Sequence, residues 1–224
     1  MAKIIFISEK NRERYLKIIT PIGNVLARIG VHPHVLTITG LILSIAAGLM
    51  YGSGSFFWAA CVVILAGTCD SLDGQLARQT QKNSPFGAFF DSSLDRYSDM
   101  FLFMGLAYHY AGGRAIILYN GTDFDSPTSP WTVFFVIMAM TGSFMVSYTR
   151  ARAEGIGVEC KAGLMQRPER IVLLVIGSLV GPIPKIGPIL LKSTIIILAL
   201  SSNFTAIHRI VYVRNQISKE GKAG

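Results

Sequence analysis

The sequence predicts an all-α integral membrane protein with six transmembrane helices and an N-terminal amphipathic surface helix. Its 224 residues are 51% hydrophobic and only 15% charged, and the mean hydropathy is +0.47. About a quarter of the residues are charged in typical soluble domains, so this balance indicates lipid as the surrounding solvent. Apolar runs close to the length of a bilayer span recur along the chain, separated by basic segments.

The predicted elements follow from these runs. A span needs about 20 mostly apolar helical residues, and the runs cover residues 35–52, 56–70, 95–111, 131–148, 171–183 and 188–213. The second and fifth are short, so we expect their charged ends to continue as helix beyond the membrane. Residues 15–29 alternate polar and aliphatic side chains, which favours a helix along the membrane surface, although an ordinary packing helix shows the same pattern.

Charge predicts the orientation. Lysine and arginine concentrate before the first run, between the second and third, between the fourth and fifth, and after the last. The positive-inside rule therefore places both termini, and the segment between the second and third runs, on the cytoplasmic side of a multi-pass protein in the inner (cytoplasmic) membrane. We expect one domain over 1–224, with a juxtamembrane helix and linker (1–34), a bundle (35–213) and a tail (214–224). The net charge is +8, but the basic residues lie between apolar runs and form no continuous soluble face, which argues against nucleic acid as a partner.

Four aspartates form the most informative pattern. Asp70 and Asp73 are spaced i, i+3, and Asp91 and Asp95 are spaced i, i+4, so each pair projects from one helix face. A turn over 82–85 lets the two helices return antiparallel and brings the four carboxylates together. Carboxylates this close repel unless they are protonated or bound to cations. Oxygen ligands favour Mg²⁺ or Mn²⁺, so we expect two such ions rather than solvated helix ends.

These aspartates belong to a longer pattern over residues 70–95, Asp-x2-Asp-Gly-x2-Ala-Arg-x8-Gly-x3-Asp-x3-Asp. It resembles the signature of the CDP-alcohol phosphotransferases, which move a phosphatidyl-like group from a CDP-linked lipid onto an alcohol. The resemblance implies six transmembrane helices behind a surface helix, usually in a homodimer. It also implies that Asp70, Asp73 and Asp91 bind metal, while Asp95 both contacts metal and takes the acceptor's proton.

The resemblance also implies a donor site. The residues expected to contact the CDP-lipid are His34, Val35, Leu36, Thr37, Asp70, Gly74, Ala77, Arg78, Ser84 and Gly87. Arg78 would neutralise the charge that gathers on the leaving CMP phosphate. His34 is a departure, because family members often have aspartate at this position.

Within the family, the chain is similar to the bacterial phosphatidylinositol phosphate synthases. The similar stretches are residues 28–40, 86–99, 147–157, 163–174 and 208–214. The similarity implies CDP-diacylglycerol as donor, inositol 1-phosphate as the phosphorylated polyol acceptor, and an acceptor-phosphate pocket of Arg150, Arg170 and Arg209. Arginine forks bind phosphate oxygens in bidentate fashion, which agrees with that assignment.

Alternatives stay open at this point. Glycerol 3-phosphate is the rival acceptor, because it also needs a cationic pocket. A divalent-cation transporter would place acids in membrane helices too, but it has no use for the signature arginine. The intact signature argues against a non-catalytic membrane scaffold. Arg209 could snorkel to lipid headgroups, and Arg152 and Arg167 could be loop charges that pair with Glu154 and Glu169.

Overall fold

The computed structural model describes residues 9–81, 84–113, 128–160, 162–163 and 165–220. Over these residues the chain forms seven helices and no strand, which confirms the all-α prediction. The helices are α1 (Glu9–Ile29), α2 (Pro33–Gly52), α3 (Phe56–Gln79), α4 (Pro85–Tyr110), α5 (Pro130–Glu154), α6 (Arg167–Leu179) and α7 (Ile186–Glu220).

Four of these helices, α2, α3, α5 and α7, are long and apolar enough to cross a membrane. Large apolar side chains on them face outward: Leu49 is 71% exposed and Trp58 is 65% exposed. Soluble proteins rarely expose apolar surface on this scale, so the outer faces of these helices suit lipid. As expected for the short second run, α3 continues through the first part of the signature to Gln79. The end of α7 likewise extends past residue 213, into the predicted tail.

The start of α4 differs from the predicted span over 95–111. The helix begins at Pro85, where Ser84 acts as its N-cap, with Oγ accepting a hydrogen bond from the Gly87 amide at 2.9 Å. Proline suits the first helical position, because its missing N–H would be unpaired there in any case. The first turns of α4 therefore carry the acidic residues as helix. Residues 82–83 of the predicted turn lie outside the described residues.

The fifth predicted span, over 171–183, is the other departure. Helix α6 has only 13 residues. At about 1.5 Å per residue it covers about 20 Å, less than the roughly 30 Å of a hydrocarbon core. It ends at Leu179, shortly before Pro182 and Pro184, and a proline disfavours helix in the residue before it.

The six helices after α1 nevertheless pack as a closed ring. Helix α2 packs against α3 and α4, α4 against α5, α5 against α7, α7 against α6, and α6 against α3. Leu106, Leu191 and Ile195 are fully buried in its core. A Cβ on Gly105 of α4 would collide with the backbone of Gly48 in α2, so the close approach of these helices requires glycine. The short α6 is thus a full member of the ring.

Helix α1 packs on the outside of the ring, along α3. Its Ile19 is 3% exposed and packs with apolar side chains of α2 and α3. Side-chain hydrogen bonds join Tyr15 to Thr68, Thr20 to Gln75 and Asn24 to Gln79. On the opposite face Ile18 is 73% exposed and Ile29 71% exposed. The outer face of α1 thus exposes large apolar side chains, and its role as an amphipathic helix on the membrane surface stays a prediction.

Candidate active site

Three carboxylates from α3 and α4 meet in one cluster. Oxygens of Asp70, Asp91 and Asp95 lie within 4.8 Å of one another. Asp91 Oδ1 is buried and has no hydrogen-bond partner among the described residues. A buried carboxylate oxygen without a donor is costly, and a cation would satisfy it. This all-oxygen donor set therefore fits a hard divalent cation such as Mg²⁺ or Mn²⁺.

Asp73, the fourth predicted metal ligand, lies outside this cluster. It is 6% exposed, and its Oδ2 accepts a hydrogen bond from the Thr37 hydroxyl at 2.8 Å. The bond ties α3 to the start of α2 and engages one of the two carboxylate oxygens. The role of Asp73 as a metal ligand stays a prediction.

Arg167, at the first position of α6, lies among the acids. Its Nη1 is 2.8 Å from Asp95 Oδ1 and 3.2 Å from Asp70 Oδ2, and its Nε donates to Asp99 Oδ1 at 3.3 Å. The interpretation of Arg167 as a loop charge paired with Glu169 is therefore wrong. Burial alone would lower the pKa of Arg167, but the carboxylates of Asp99, Asp95 and Asp70 raise it overall, so the guanidinium stays charged.

Asp99 is a site residue that the sequence analysis missed. It is 8% exposed, and its Oδ2 accepts hydrogen bonds from Ser143 Oγ at 2.9 Å and from Arg170 Nη2 at 3.4 Å. Its other oxygen accepts from Arg167. Asp99 thus holds two arginines at the start of α6. The sequence did contain a signal for Asp99. Asp91, Asp95 and Asp99 recur every four residues, which places all three on one face of a helix.

Two of the arginines predicted to bind the acceptor phosphate are buried. Arg170 is 3% exposed and donates to the Met165 carbonyl at 3.4 Å as well as to Asp99, while its Nε is buried without an acceptor among the described residues. Arg209 is also 3% exposed, and its Nε donates to the Ala162 carbonyl at 2.7 Å. This burial argues against the alternative in which Arg209 snorkels to lipid headgroups.

Arg150 is the exposed member of the predicted pocket. Its Nε donates to Glu154 Oε1 at 2.9 Å, one helical turn away on α5. Arg150 and Arg170 both lie close enough to Arg209 to repel it electrostatically. Guanidinium groups gathered in this way are stabilised by an anion. The surroundings therefore suit a phosphate, and the pocket itself stays a prediction.

A cavity of about 940 Å³ opens beside the carboxylate cluster. Asp70, Gly74 and Arg78 of α3 and Arg167 of α6 contribute polar lining. Asp95 and Asp99 of α4 add further polar lining, and apolar lining comes from residues such as Ile64 of α3 and Ile176 of α6. A cavity of this kind suits a ligand with a charged head and an apolar tail.

Several residues predicted for the donor lie around the starts of α2 and α4. The His34 ring packs edge-on against the rings of Phe86 and Phe90. A Cβ on Gly87 would lie 3.1 Å from Ser84 Oγ and 3.3 Å from His34 Cε1, so glycine keeps this corner open. These residues form a group of their own, outside the lining of the cavity.

The other predicted donor residues divide into two sets. Thr37 lines the cavity together with the signature residues described above. Leu36 is 9% exposed and packs with Ile19 where α1 meets the ring, which accounts for it as a core residue. Val35 is 52% exposed and Ala77 is half-buried, and neither lines the cavity. Contacts of these three residues with the donor stay predictions.

Comparison with known proteins agrees with the signature. Residues 30–212 match the family model of CDP-alcohol phosphatidyltransferase. The chain is 36% identical over 197 residues to the archaetidylinositol phosphate synthase of Methanothermobacter thermautotrophicus, covering 88% of this chain and 89% of that protein.

Two crystal structures of the phosphatidylinositol phosphate synthase of Mycobacterium tuberculosis have a similar fold, each at 33% sequence identity. The complex with CDP-DAG gives a TM-score of 0.73 and covers 88% of this chain and 94% of that one. The complex with manganese and citrate gives 0.72, with 87% and 88% covered. Because the family model spans most of its length and the signature acids meet in one cluster, the chain belongs to the CDP-alcohol phosphatidyltransferase family.

Proposed function

We propose that this chain transfers a phosphatidyl group from CDP-diacylglycerol to a hydroxyl of inositol 1-phosphate and releases CMP. The observation that carries the proposal is the carboxylate cluster of Asp70, Asp91 and Asp95 beside a cavity that also contains Arg78. Relatives named archaetidylinositol phosphate synthase and phosphatidylinositol phosphate synthase, similar over most of their length, support inositol 1-phosphate as the acceptor.

The proposed reaction exchanges one phosphate-ester partner for another. The acceptor oxygen bonds to the phosphorus that carries the diacylglycerol, and the bond from this phosphorus to the CMP oxygen breaks. Asp95 takes the proton of the acceptor hydroxyl, and CMP leaves with the electron pair of the broken bond. Arg78, at the cavity wall, offers its positive charge to the leaving phosphate.

The proposed cofactor is a pair of divalent ions, Mg²⁺ or Mn²⁺, held by Asp70, Asp91 and Asp95 with Asp73 as the fourth ligand. Bound ions would act as Lewis acids that neutralise charge on the phosphate oxygens. The buried, unpartnered oxygen of Asp91 supports a cation at this place. The manganese complex of the mycobacterial relative supports the same class of cofactor.

The acceptor's own phosphate is proposed to bind Arg150, Arg170 and Arg209. Arg170 supports this role, because its buried Nε is a donor without an acceptor in the described part of the chain. Arg150 pairs with Glu154 at 2.9 Å, so the phosphate would share or replace that carboxylate. A phosphomonoester carries about −1.5 to −2 charges, enough to hold several guanidinium groups together.

We also propose six membrane spans in the cytoplasmic membrane, with both termini and the active site cytoplasmic and α1 on the membrane surface. Membership of α4 and α6 in the closed ring supports spans for them alongside the four longer apolar helices. The donor's tails would then lie against the apolar lining of the cavity, and the polar acceptor would enter from the cytoplasm. The homodimer implied by the family resemblance belongs to the same proposal.

An acceptor screen tests this function. Purified protein in detergent receives CDP-diacylglycerol, Mn²⁺ and either inositol 1-phosphate, glycerol 3-phosphate or inositol, and CMP release is measured. We expect release with inositol 1-phosphate and little with unphosphorylated inositol, which leaves the arginines without an anion. If the protein instead prefers glycerol 3-phosphate, the proposed cationic pocket stands and inositol 1-phosphate is wrong as the acceptor. A parallel screen with an ether-linked CDP-lipid identifies the preferred donor, a question that the archaetidylinositol phosphate synthase relative raises.

A screen in which no acceptor gives CMP would favour the alternative function, divalent-cation transport. If no acceptor gives CMP, while the protein carries Mn²⁺ across proteoliposome membranes, the acids serve transport and the proposed transfer reaction is wrong.

A further inference from the structure

Arg167 makes two kinds of contact with the acids. Its Nη1 contacts Asp95 and Asp70, which belong to the carboxylate cluster. Its Nε contacts Asp99, which lies one turn further along α4 and is not part of the cluster. Nη1 of the guanidinium therefore neutralises two of the proposed metal ligands, while Nε is hydrogen-bonded to Asp99.

The shortest of these contacts is that of Nη1 with Asp95 at 2.8 Å, but of the other two acids Asp99 is the more firmly held. Asp99 is buried and is itself held by Ser143 at 2.9 Å and by Arg170 at 3.4 Å. Among the described residues no second donor contacts the Asp70 Oδ2 that Arg167 contacts, and the Asp70 side chain is 37% exposed. A guanidinium carries five N–H donors, so its Nη groups can change partners while Nε keeps its bond.

A divalent cation on Asp70 and Asp95 would bind the two carboxylates that Nη1 of Arg167 contacts. Two positive charges a few ångströms apart repel, so these contacts and cation binding oppose each other. Arg167 also lines the cavity beside the cluster. A guanidinium that leaves Asp70 and Asp95 while it remains on Asp99 therefore has the cavity as its nearest open space.

We infer that Arg167 and a divalent cation compete for Asp70 and Asp95, and that the displaced guanidinium stays on Asp99 and binds a phosphate oxygen of the CDP-lipid in the cavity. The inference rests on the proposed function, because it takes CDP-lipid as the ligand of the cavity. Cation binding would then release Asp95 from its contact with Arg167 and at the same time bring the positive charge of the guanidinium to the donor.

The test measures cation and donor binding in the same variants. Mn²⁺ binding to the detergent-solubilised full chain, without lipid, is followed by the electron paramagnetic resonance signal of free Mn²⁺. For Arg167→Gln we expect the Kd for Mn²⁺ to fall by about ten-fold, because a charged competitor is lost. At saturating Mn²⁺ the KM for CDP-diacylglycerol should instead rise by about ten-fold, because one charge-assisted phosphate contact is lost. Simple damage to the site would weaken both.

Two matched variants separate contact from overall charge. Arg170→Gln also removes an arginine that contacts Asp99, but among the described residues Arg170 contacts neither Asp70 nor Asp95. The Kd of this variant for Mn²⁺ should therefore stay within about three-fold of wild type. Arg152→Gln on the exposed end of α5 should change neither constant. If Arg167→Gln does not fold, Arg167→Lys replaces it, because a lysine lacks the fork that bridges these acids and should give smaller shifts in the same directions.

An unchanged or raised Kd for Mn²⁺ in the Arg167 variant overturns the inference and leaves the proposed function intact. The same holds if Arg170→Gln tightens Mn²⁺ binding as much. A wild-type chain that binds no Mn²⁺ at all would overturn the proposed cation site and this inference together.

Discussion

Replacing Asp91 with asparagine tests the carboxylate cluster. Asparagine keeps the shape of the side chain, so the helix and its packing should be unchanged. Asp91 Oδ1 has no hydrogen-bond donor among the described residues, and a bound cation would supply the missing partner. A charge-assisted contact contributes about 1.5 to 3 kcal/mol, so the Kd for Mn²⁺ should rise by roughly 10- to 150-fold. CMP release at limiting Mn²⁺ should fall at least in proportion.

Asp91→Asn should not destabilise the protein when no metal is bound. The Asp91 carboxylate lies within 4.8 Å of two others. Each such pair repels by about 3 kcal/mol at an effective dielectric constant of about 20, before the attraction of Arg167 offsets it. Asp91→Asn should therefore leave the apo protein equally or more stable to heat. Added Mn²⁺ should raise its Tm less than that of wild type.

The measurements are an Mn²⁺ titration followed by electron paramagnetic resonance, CMP release, and thermal unfolding with and without Mn²⁺. Glu159→Gln, which removes an exposed acid outside the carboxylate cluster, is the matched control and should bind Mn²⁺ with the Kd of wild type. A Kd for Mn²⁺ within about three-fold of wild type, with normal turnover at limiting Mn²⁺, would refute the assignment of Asp91 as a ligand.

Further predictions concern the base, the acceptor and the packing. Asp95→Asn should abolish CMP release while CDP-lipid binding by calorimetry stays within about ten-fold of wild type, and a collapse of both would make Asp95 chiefly a metal ligand. Arg150→Ala should raise the KM for inositol 1-phosphate by roughly ten-fold or more and leave that for the donor unchanged, whereas Arg152→Ala should alter neither, and equal effects of the two would remove Arg150 from the pocket. Gly105→Ala should lower the free energy of unfolding by about 1 to 3 kcal/mol or more, because the added Cβ meets the backbone of α2. Gly67→Ala, whose Cβ would meet no described atom within 4 Å, is the control and should not lower it. Equal Tm values for the two variants would contradict the close contact.

The sequence predicted the parts of the site that depend on local spacing. The i, i+4 pair of Asp91 and Asp95 lies on one face of α4 as expected, and both meet Asp70 of α3. The first apolar run, over 35–52, corresponds closely to α2, because its boundaries are fixed by proline and by small polar residues. Local signals of this kind need no knowledge of the tertiary structure.

The parts that the sequence did not predict depend on contacts between distant segments. Arg167 binds acids that precede it by 68 to 97 positions, and its neighbour Glu169 is the nearer candidate in sequence. Asp73 is turned toward Thr37, 36 residues earlier, by a contact that spacing does not reveal. Helix α6 ends at Leu179, before the predicted limit at residue 183, because of the prolines that follow, which a count of apolar residues overlooks.

Transfer of a labelled acceptor into lipid tests the central claim most directly. Purified chain is incubated with CDP-diacylglycerol, Mn²⁺ and carbon-13-labelled inositol 1-phosphate, and the lipid products and CMP are quantified by mass spectrometry. We predict a lipid that carries both the labelled inositol and its phosphate, formed in equal amount with CMP, and none from Asp91→Asn at limiting Mn²⁺. Release of CMP without label in the lipid, or label incorporated equally by the variant, would contradict the account.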